Sequence, residues 1–370
     1  MHGDTKLQQD KDRAKQAISQ LPNLNDAQKH MEDSIIDSQD TRTNVNQNIT
    51  AAQELNGLMG ALKESIKDNA TIISNGNYIN AEPTKKQAYD QAVQHAKDII
   101  NGTNQPTINK DDVSRATQTV NNTKVALDGD HRLEEAQNTA NQTITNLTNL
   151  NNAQKTAEKQ LVNQSPTLEQ VQQNLQTAQD LDRAMGALRQ SIANQDQVKS
   201  ESKYLNEDPT VKANYDQAVQ RAEDIINATQ NPELNKGTIE QATQAVQNAE
   251  QALHGVEKLN QDKTTASKEL NNLTNLTDAQ REKLKELINH SDSRDDIKQE
   301  LEQAKQLNNA MEQLKNQVAL KDSVHSSSNY FNEDSAQKQA YDDAIKHAED
   351  IIKNTNNPNI NPVSYTHLTL

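Results

Sequence analysis

The side chains able to do chemistry in this sequence are few, and they recur. Tyrosines come in pairs, Tyr78 with Tyr89, Tyr204 with Tyr215 and Tyr330 with Tyr341, and apart from Phe331 and Tyr365 these are all the aromatics. Such rings can anchor a protein ligand, or can fill a thin core with the hydroxyl at a polar edge. On the apolar face of a helix each pair reads as core. Asp128-Gly129-Asp130-His131 sets oxygens at alternate positions, like the opening of a calcium loop. One period on, the matching residues are His254-Gly255-Val256-Glu257, and no glutamate closes a twelve-residue loop, so the segment reads as a joint between helices with no metal. Asn206-Glu207-Asp208 and Asn332-Glu333-Asp334 read as helix-start charges facing the positive end of the macrodipole. His95 aligns with Arg221 and His347, which suits an exposed face. Met59, Met185 and Met311 fall on a helical seam, where methionine fills gaps in a core. No nucleophile elbow, phosphate loop or metal-spaced histidine pair occurs, so neither an enzyme nor a cofactor is expected.

These residues recur because the chain itself does. The stretch YLNEDPTVKANYDQAVQRAEDIINATQNP, from Tyr204 to Pro232, has counterparts starting at Tyr78 and Tyr330, a spacing of 126 residues both times. A unit of this length repeated almost three times is the first organising fact. Only 32% of residues are hydrophobic and 2% aromatic, which excludes a large core. The apolar residues nevertheless keep helical spacing, which argues for thin helical bundles over disorder. A formal net charge of −15 argues against nucleic acid and anionic membranes as partners. No cysteine is present for disulfides or a zinc cluster. Nothing near Met1 resembles a signal peptide and no stretch approaches a membrane span. His2-Gly3 aligns with His254-Gly255, so the chain reads as a fragment cut from a longer array. Residues 362–370, ending VSYTHLTL, lose the register and read as a non-native tail.

The middle copy shows what must position these side chains. A first helix is expected over 130–147, with Leu133, Ala140, Ile144 and Leu147 as its stripe. Asn151 and Gln154 form a capping-box pattern for a short second helix, and Thr167 starts a third that runs unbroken to Ile192, about 37 Å for 25 residues. A helix that long is expected to pack its first half on the two preceding helices and its second half on the two that follow. Asp208-Pro209 starts the fourth, with the aspartate as cap, and Asn231-Pro232 ends it. The fifth begins near Gly237 and carries Ile239, Ala242, Val246, Ala249, Leu253 and Val256. Its seam continues into Leu259 and Ala266, so a continuous helix is expected across the repeat boundary, with Gly129 or Gly255 there costing only about 1 kcal/mol. The fold class is therefore all-α: tandem three-helix bundles sharing long connecting helices in an elongated rod, with bundles at 1–52, 53–126, 127–178, 179–252, 253–304 and, truncated, 305–361.

LTNLNNAQKTAEKQL at 147–161, LDRAMGALRQSI at 181–192 and YDQAVQRAEDIINATQNP at 215–232 resemble the alternating albumin-binding-like (GA) and FIVAR modules of giant staphylococcal extracellular matrix-binding proteins. The resemblance covers residues 2 to about 361. It makes the odd-numbered bundles GA-like and the even-numbered ones FIVAR-like. It implies a bacterial cell-wall adhesin, extracellular, built as a long monomeric rod and associated with fibronectin-like matrix proteins. The GA likeness also suggests serum albumin, although no albumin-contact motif matches residue by residue. Two functions follow as expectations: a stiff stalk, or an array of weak host-protein-binding repeats acting through avidity. Any contact is expected on the solvent side of the fourth helix, at Gln217, Arg221 and Asp224.

Overall fold

The structure, a computed structural model, describes residues 2–102 and 104–366. The chain divides into two compact units, Met1–Asp182 and Arg183–Leu370, and the regular structure of the described residues is helical throughout.

In the first unit α1 (Gly3–Ser19), α2 (Asp26–Asp37) and the front of α3 (Arg42–Ser65) enclose a small core of Ala14, Ile18, Ile36, Val45 and Ala52. The helix starts are written in polar side chains. Asn25 accepts the Gln28 N–H while the Gln28 side chain accepts the Asn25 N–H, a full capping box, and Thr41 accepts the Asn44 N–H. Beyond Ala52 the long helix turns its stripe to a second core. Leu55, Met59 and Leu62 pack there with residues of α6 (Pro83–Asn101) and α7 (Lys110–Val125). Between α3 and α6 lie two short helices that the repeat pattern did not predict, α4 (Asn69–Ser74) and α5 (Gly76–Ile79). The unit continues through α8 (Gly129–Asn146), α9 (Asn152–Asn163) and the first part of α10 (Leu168–Ser191), and Ala140, Ile144, Val162, Val171 and Ala178 make a third core.

The second unit repeats this order. It holds α11 (Gln195–Ser200), α12 (Ser202–Leu205), α13 (Pro209–Asn227) and α14 (Lys236–Gln251), then α15 (Gly255–Asn271), α16 (Asp278–His290) and α17 (Arg294–Ala319). It closes with α18 (Lys321–His325), α19 (Ser328–Phe331), α20 (Ser335–Lys353) and the short α21 (Val363–Thr366). Thr277 and Gln280 repeat the capping box, and α17 serves two groups of helices as α3 does. In α3 one amphipathic stripe belongs to two cores, whereas the stripe of α17 lies in a single core that joins α15 and α16 to α20.

The structure departs from these expectations at several places. The helix does not cross the repeat boundary: α7 stops at Val125 and α8 restarts at Gly129, and α14 and α15 are parted in the same way. The chain turns so that Leu127 and Leu253 enter the core, and the restart shifts the helical phase, which leaves Val256 exposed instead of on the seam. Asp208 makes no capping hydrogen bond to α13, because its carboxylate is held by cations of other helices. Of the two triplets read as helix-start charges, the one before α13 has Asn206 and Glu207 buried and its acids bonded by Lys258, whereas Asn332, Glu333 and Asp334 before α20 are exposed. Tyr365, in the segment set aside as a tail, is buried in the place that Val113 and Ile239 hold two periods and one period earlier, and its hydroxyl donates to the Asn359 carbonyl at 2.7 Å.

One core position works against stability. Glu158 in α9 is only 1% exposed and one of its carboxyl oxygens has no hydrogen-bond partner, whereas its counterpart in the last copy is the buried Leu284. Burial raises the Glu158 pKa above its ordinary 4.5. A raised folded-state pKa means that the folded chain binds the proton more tightly than the unfolded one. The carboxylate therefore detracts from stability at neutral pH, and the penalty is relieved as pH falls through the folded value toward 4.5. Glu158→Leu is expected to stabilise this bundle by about 1–3 kcal/mol at pH 7, with a smaller gain at pH 5, as read from urea unfolding at the two pH values.

Candidate functional site

Three of the buried polar residues, Asn80, Asn206 and Glu207, lie at the joints where α7 passes to α8 and where α14 passes to α15. At the first joint the start of α8 lies against the short α5. A Cβ on Gly129 would come within 2.7 Å of Ala81 N and Gly76 O and closer still to Asn77 O, so only glycine allows the approach. Asn77 bridges the contact: its amide donates to Leu127 O at 3.3 Å and its oxygen accepts the Asp130 N–H at 3.1 Å. Asn80, fully enclosed, accepts the Leu168 N–H at 3.0 Å and donates to Pro166 O at 3.0 Å. It thereby satisfies a free donor in the first turn of α10 from a different bundle. The Asp128 carboxylate accepts the Glu82 N–H at 3.0 Å and pairs with Lys85 at 2.8 Å. Lys85 first, and then the Glu82 N–H, hold its pKa below the ordinary value.

The second joint has the same frame and different charges. A Cβ on Gly255 would lie 2.5 Å from Ser202 O and 2.6 Å from Lys203 O. Asn206 accepts the Arg294 N–H at 3.0 Å and donates to Asp292 O at 2.9 Å, as Asn80 does in its own joint. Glu207 accepts the N–H groups of Asp208, at 2.7 Å, and of His254, and is bonded by the Lys258 ammonium. Burial pushes its pKa up, but Lys258 and the two N–H groups together bring it below the ordinary value. Asp208 binds Lys258 and, at 2.8 Å, Arg294, whose Nε is 2.6 Å from Asp262. A cleft of about 510 Å³ opens beside this joint, lined by Asp262, Ala266, Glu269, Arg294, Ile297 and Leu301 among others. Two of its acids are held in ion pairs, Asp262 with Arg294 and Glu269 with Lys305.

The sequence-derived candidates lie elsewhere. Each tyrosine pair is an edge-to-face contact with ring centroids 6.1 Å apart, and the outer hydroxyls of Tyr78, Tyr204 and Tyr330 donate to Asp90, Asp216 and Asp342. Tyr89 and Tyr215 are wholly buried, and burial is the largest cause pushing their pKa up to about 12. Tyr341 is only half-buried, because the helix that covers its counterparts is reduced to α21 in the last copy. Met59, Met185 and Met311 are fully buried. Gln217, Arg221 and Asp224 lie on α13 and His95 on α6, and all four are exposed. Among the described residues no three His, Cys, Asp or Glu side chains come together to hold a metal ion. What the sequence patterns did not reveal is the joint role of Asn80, Asn206, Gly129 and Gly255. The available signal was that asparagine and glycine persist there at every period while their neighbours change.

The FIVAR domain family model matches residues 58–128, 184–254 and 310–363, and the GA module model matches 4–58, 130–184 and 256–310. The chain belongs to the FIVAR domain and GA module families. Each α1–α3-type bundle is thus a GA module, and each joint passes from a FIVAR domain to the next GA module. The whole chain is 48% identical over 369 residues to part of the extracellular matrix-binding protein ebh of Staphylococcus aureus strain MW2, covering 4% of it. It is 47% identical to part of the extracellular matrix-binding protein EbhA of strain Newman, covering 11%. The chain therefore spans a small fraction of these relatives' length. The crystal structure of EbhA domain 756–1003 from S. aureus is similar with a TM-score of 0.61 and 35% identity, over 66% of this chain and 98% of that one.

The joint glycines separate from the ordinary ones by experiment. Gly57 stands inside α3 with open space for 4 Å around the position a methyl group would take, so Gly57→Ala is expected to stabilise by about 0.5–1 kcal/mol. Gly129→Ala and Gly255→Ala force the backbones apart and are expected to destabilise by about 1–3 kcal/mol in urea melts, with faster hydrogen exchange at Leu168 or Arg294 respectively.

Proposed function

We propose that this chain is a stiff spacer in a bacterial surface adhesin that meets host extracellular matrix. The joint is the observation that carries this reading. A GA module and the FIVAR domain before it share a close backbone contact, a cap supplied from one module to a helix of the other, and a buried carboxylate bridge. Such a joint resists bending where a Gly/Ser linker would not. Within the first GA–FIVAR pair the coupling is by another route: α3 is common to both, and Gln28 of the GA capping box donates to Thr107 O of the FIVAR domain at 2.7 Å. The relatives are named for matrix binding, which supports placing this chain on the cell surface and outside catalysis. No described helix is long and apolar enough to cross a membrane.

Matrix contact belongs on the solvent side of the FIVAR helix, at Gln217, Arg221 and Asp224 and the equivalent Gln91, His95 and Asp98. Fibronectin is the first partner to test and serum albumin the second. Small-angle scattering tests the spacer: a radius of gyration well above about 21 Å, the value for a compact chain of this length, is expected, and a compact particle would sink the idea. Titration of fibronectin and albumin onto the chain tests the contact face. Binding that weakens on alanine substitution at Gln217, Arg221 and Asp224 supports it, and unchanged binding moves the contact to another surface.

A further inference from the structure

The two joints share a frame of neutral contacts and differ in the charges that cross it. In each, an asparagine of the FIVAR domain accepts an N–H from the first turn of a GA helix at 3.0 Å, Asn80 that of Leu168 and Asn206 that of Arg294. Among the described residues no ion pair crosses the first joint. Lys85 and its partner Asp128 both lie inside the first FIVAR match, and Arg132 of the GA module donates to an uncharged acceptor, Asn80 O, at 3.2 Å. The second joint is crossed by charge. Glu207 and Asp208 lie in the FIVAR match, Lys258, Asp262 and Arg294 in the GA match, and the five form a chain of alternating sign. Lys258 bonds both FIVAR acids, and Arg294 bonds Asp208 at 2.8 Å and Asp262 at 2.6 Å. The same places in the first joint hold Ala81, Glu82, Arg132, Ala136 and Leu168.

Exposure decides what the medium can do to this chain of charges. The side chains of Lys258, Arg294 and Asp208 keep 27%, 32% and 48% of their surface in water, whereas that of Glu207 keeps none. Salt shortens the reach of the exposed attractions from about 10 Å at 0.1 M to about 3 Å at 1 M. The Glu207 carboxylate gains water only if the modules part, and a buried charge that loses its cation costs far more than an exposed pair contributes. Burial pushes the Glu207 pKa up, but Lys258 and two N–H groups bring it below its ordinary 4.5, and Lys258 and Arg294 hold Asp208 below 3.8. Both acids therefore stabilise above those ordinary values and lose the effect as pH falls through the lowered ones. Asp128 behaves alike in the first joint, so acid weakens both joints and salt is the lever that separates them.

We propose that the second FIVAR–GA joint is locked by charge and loosens as ionic strength rises, while the first, locked by neutral contacts, keeps its hold. The chain thus carries one salt-responsive joint and one salt-indifferent joint. This rests on the reading of the joints as the stiff points of a spacer. Its test is local, so a compact particle in scattering would sink the spacer and leave the salt response of the joints standing.

Hydrogen exchange of the full chain at one pH, in about 0.05 M and about 1 M sodium chloride, reads both joints at once through the Arg294 and Leu168 N–H groups. Protection at Arg294 is expected to fall about fivefold or more between the two salts, and at Leu168 by less than about twofold. Asp208→Asn keeps the shape of the side chain and removes two of the three ion pairs that cross the second joint. It is expected to bring the salt response at Arg294 below about threefold. Glu207→Ala with Asp262→Ala and Arg294→Leu brings in the side chains of the first joint and is expected to give residue 294 the weak response of Leu168. Equal salt responses at the two amides of the parent chain would overturn the proposal, as would an Asp208→Asn chain or a triple variant that stays as salt-sensitive as the parent.

Discussion

The approach of a helix start to the backbone of a neighbouring module, permitted by Gly129 and Gly255, is the constraint on which the joints depend. A methyl group at either position would meet carbonyl oxygens or amide nitrogens, which cannot yield as side chains do. Once the backbones are that close, Asn80 or Asn206 can reach the first turn of a helix in the following module and satisfy a donor that its own helix cannot. The acids and cations come last in this order. They vary between the two joints because several arrangements satisfy the same frame, whereas the glycine and the asparagine have no substitute of equal size and hydrogen-bonding pattern.

Thin cores explain why the frame is needed. The GA cores of the first unit hold only a handful of Ala, Val, Ile and Leu side chains, and tyrosine and methionine add bulk only in the FIVAR cores. A core so small offers little stability by itself. Long helices answer this: α3 serves two cores with one stripe and α17 runs through one core shared by α15, α16 and α20, so that each bundle is stabilised by the order of the next. The polar equivalent is the capping-box glutamine: Gln28 and Gln280 cap their own helices and donate to a FIVAR loop carbonyl, so one side chain both starts an element and fixes its neighbour.

Much of this was legible in the residues. The capping boxes at Asn25 and Thr277, the threonine and serine starts of α3 and α17, and the stripes from Val45 to Leu62 follow from rules that act within one helical turn or along one face. The repeat and the GA and FIVAR strings established the order of modules. The short helices α4 and α5 were not legible, since four to six residues carry no measurable period. The candidate site was not either. Asn206-Glu207-Asp208 had a sufficient local explanation as a helix start, and nothing within the triplet tells of Arg294, 86 residues away from Asp208.

The seam from Ile239 to Leu270 shows the division most clearly. By itself the sequence determined that both sides of the repeat boundary are helical and which face of each is apolar, because those properties depend on neighbours three and four residues apart. Whether the helix runs on or breaks depended on burying Leu253 and seating Gly255 against Ser202 and Lys203. Propensity separates the two outcomes by only about 1 kcal/mol, the cost of one helical glycine. A buried leucine, a shared cap and a bridged carboxylate outweigh that difference, and all three exist only once the modules have packed.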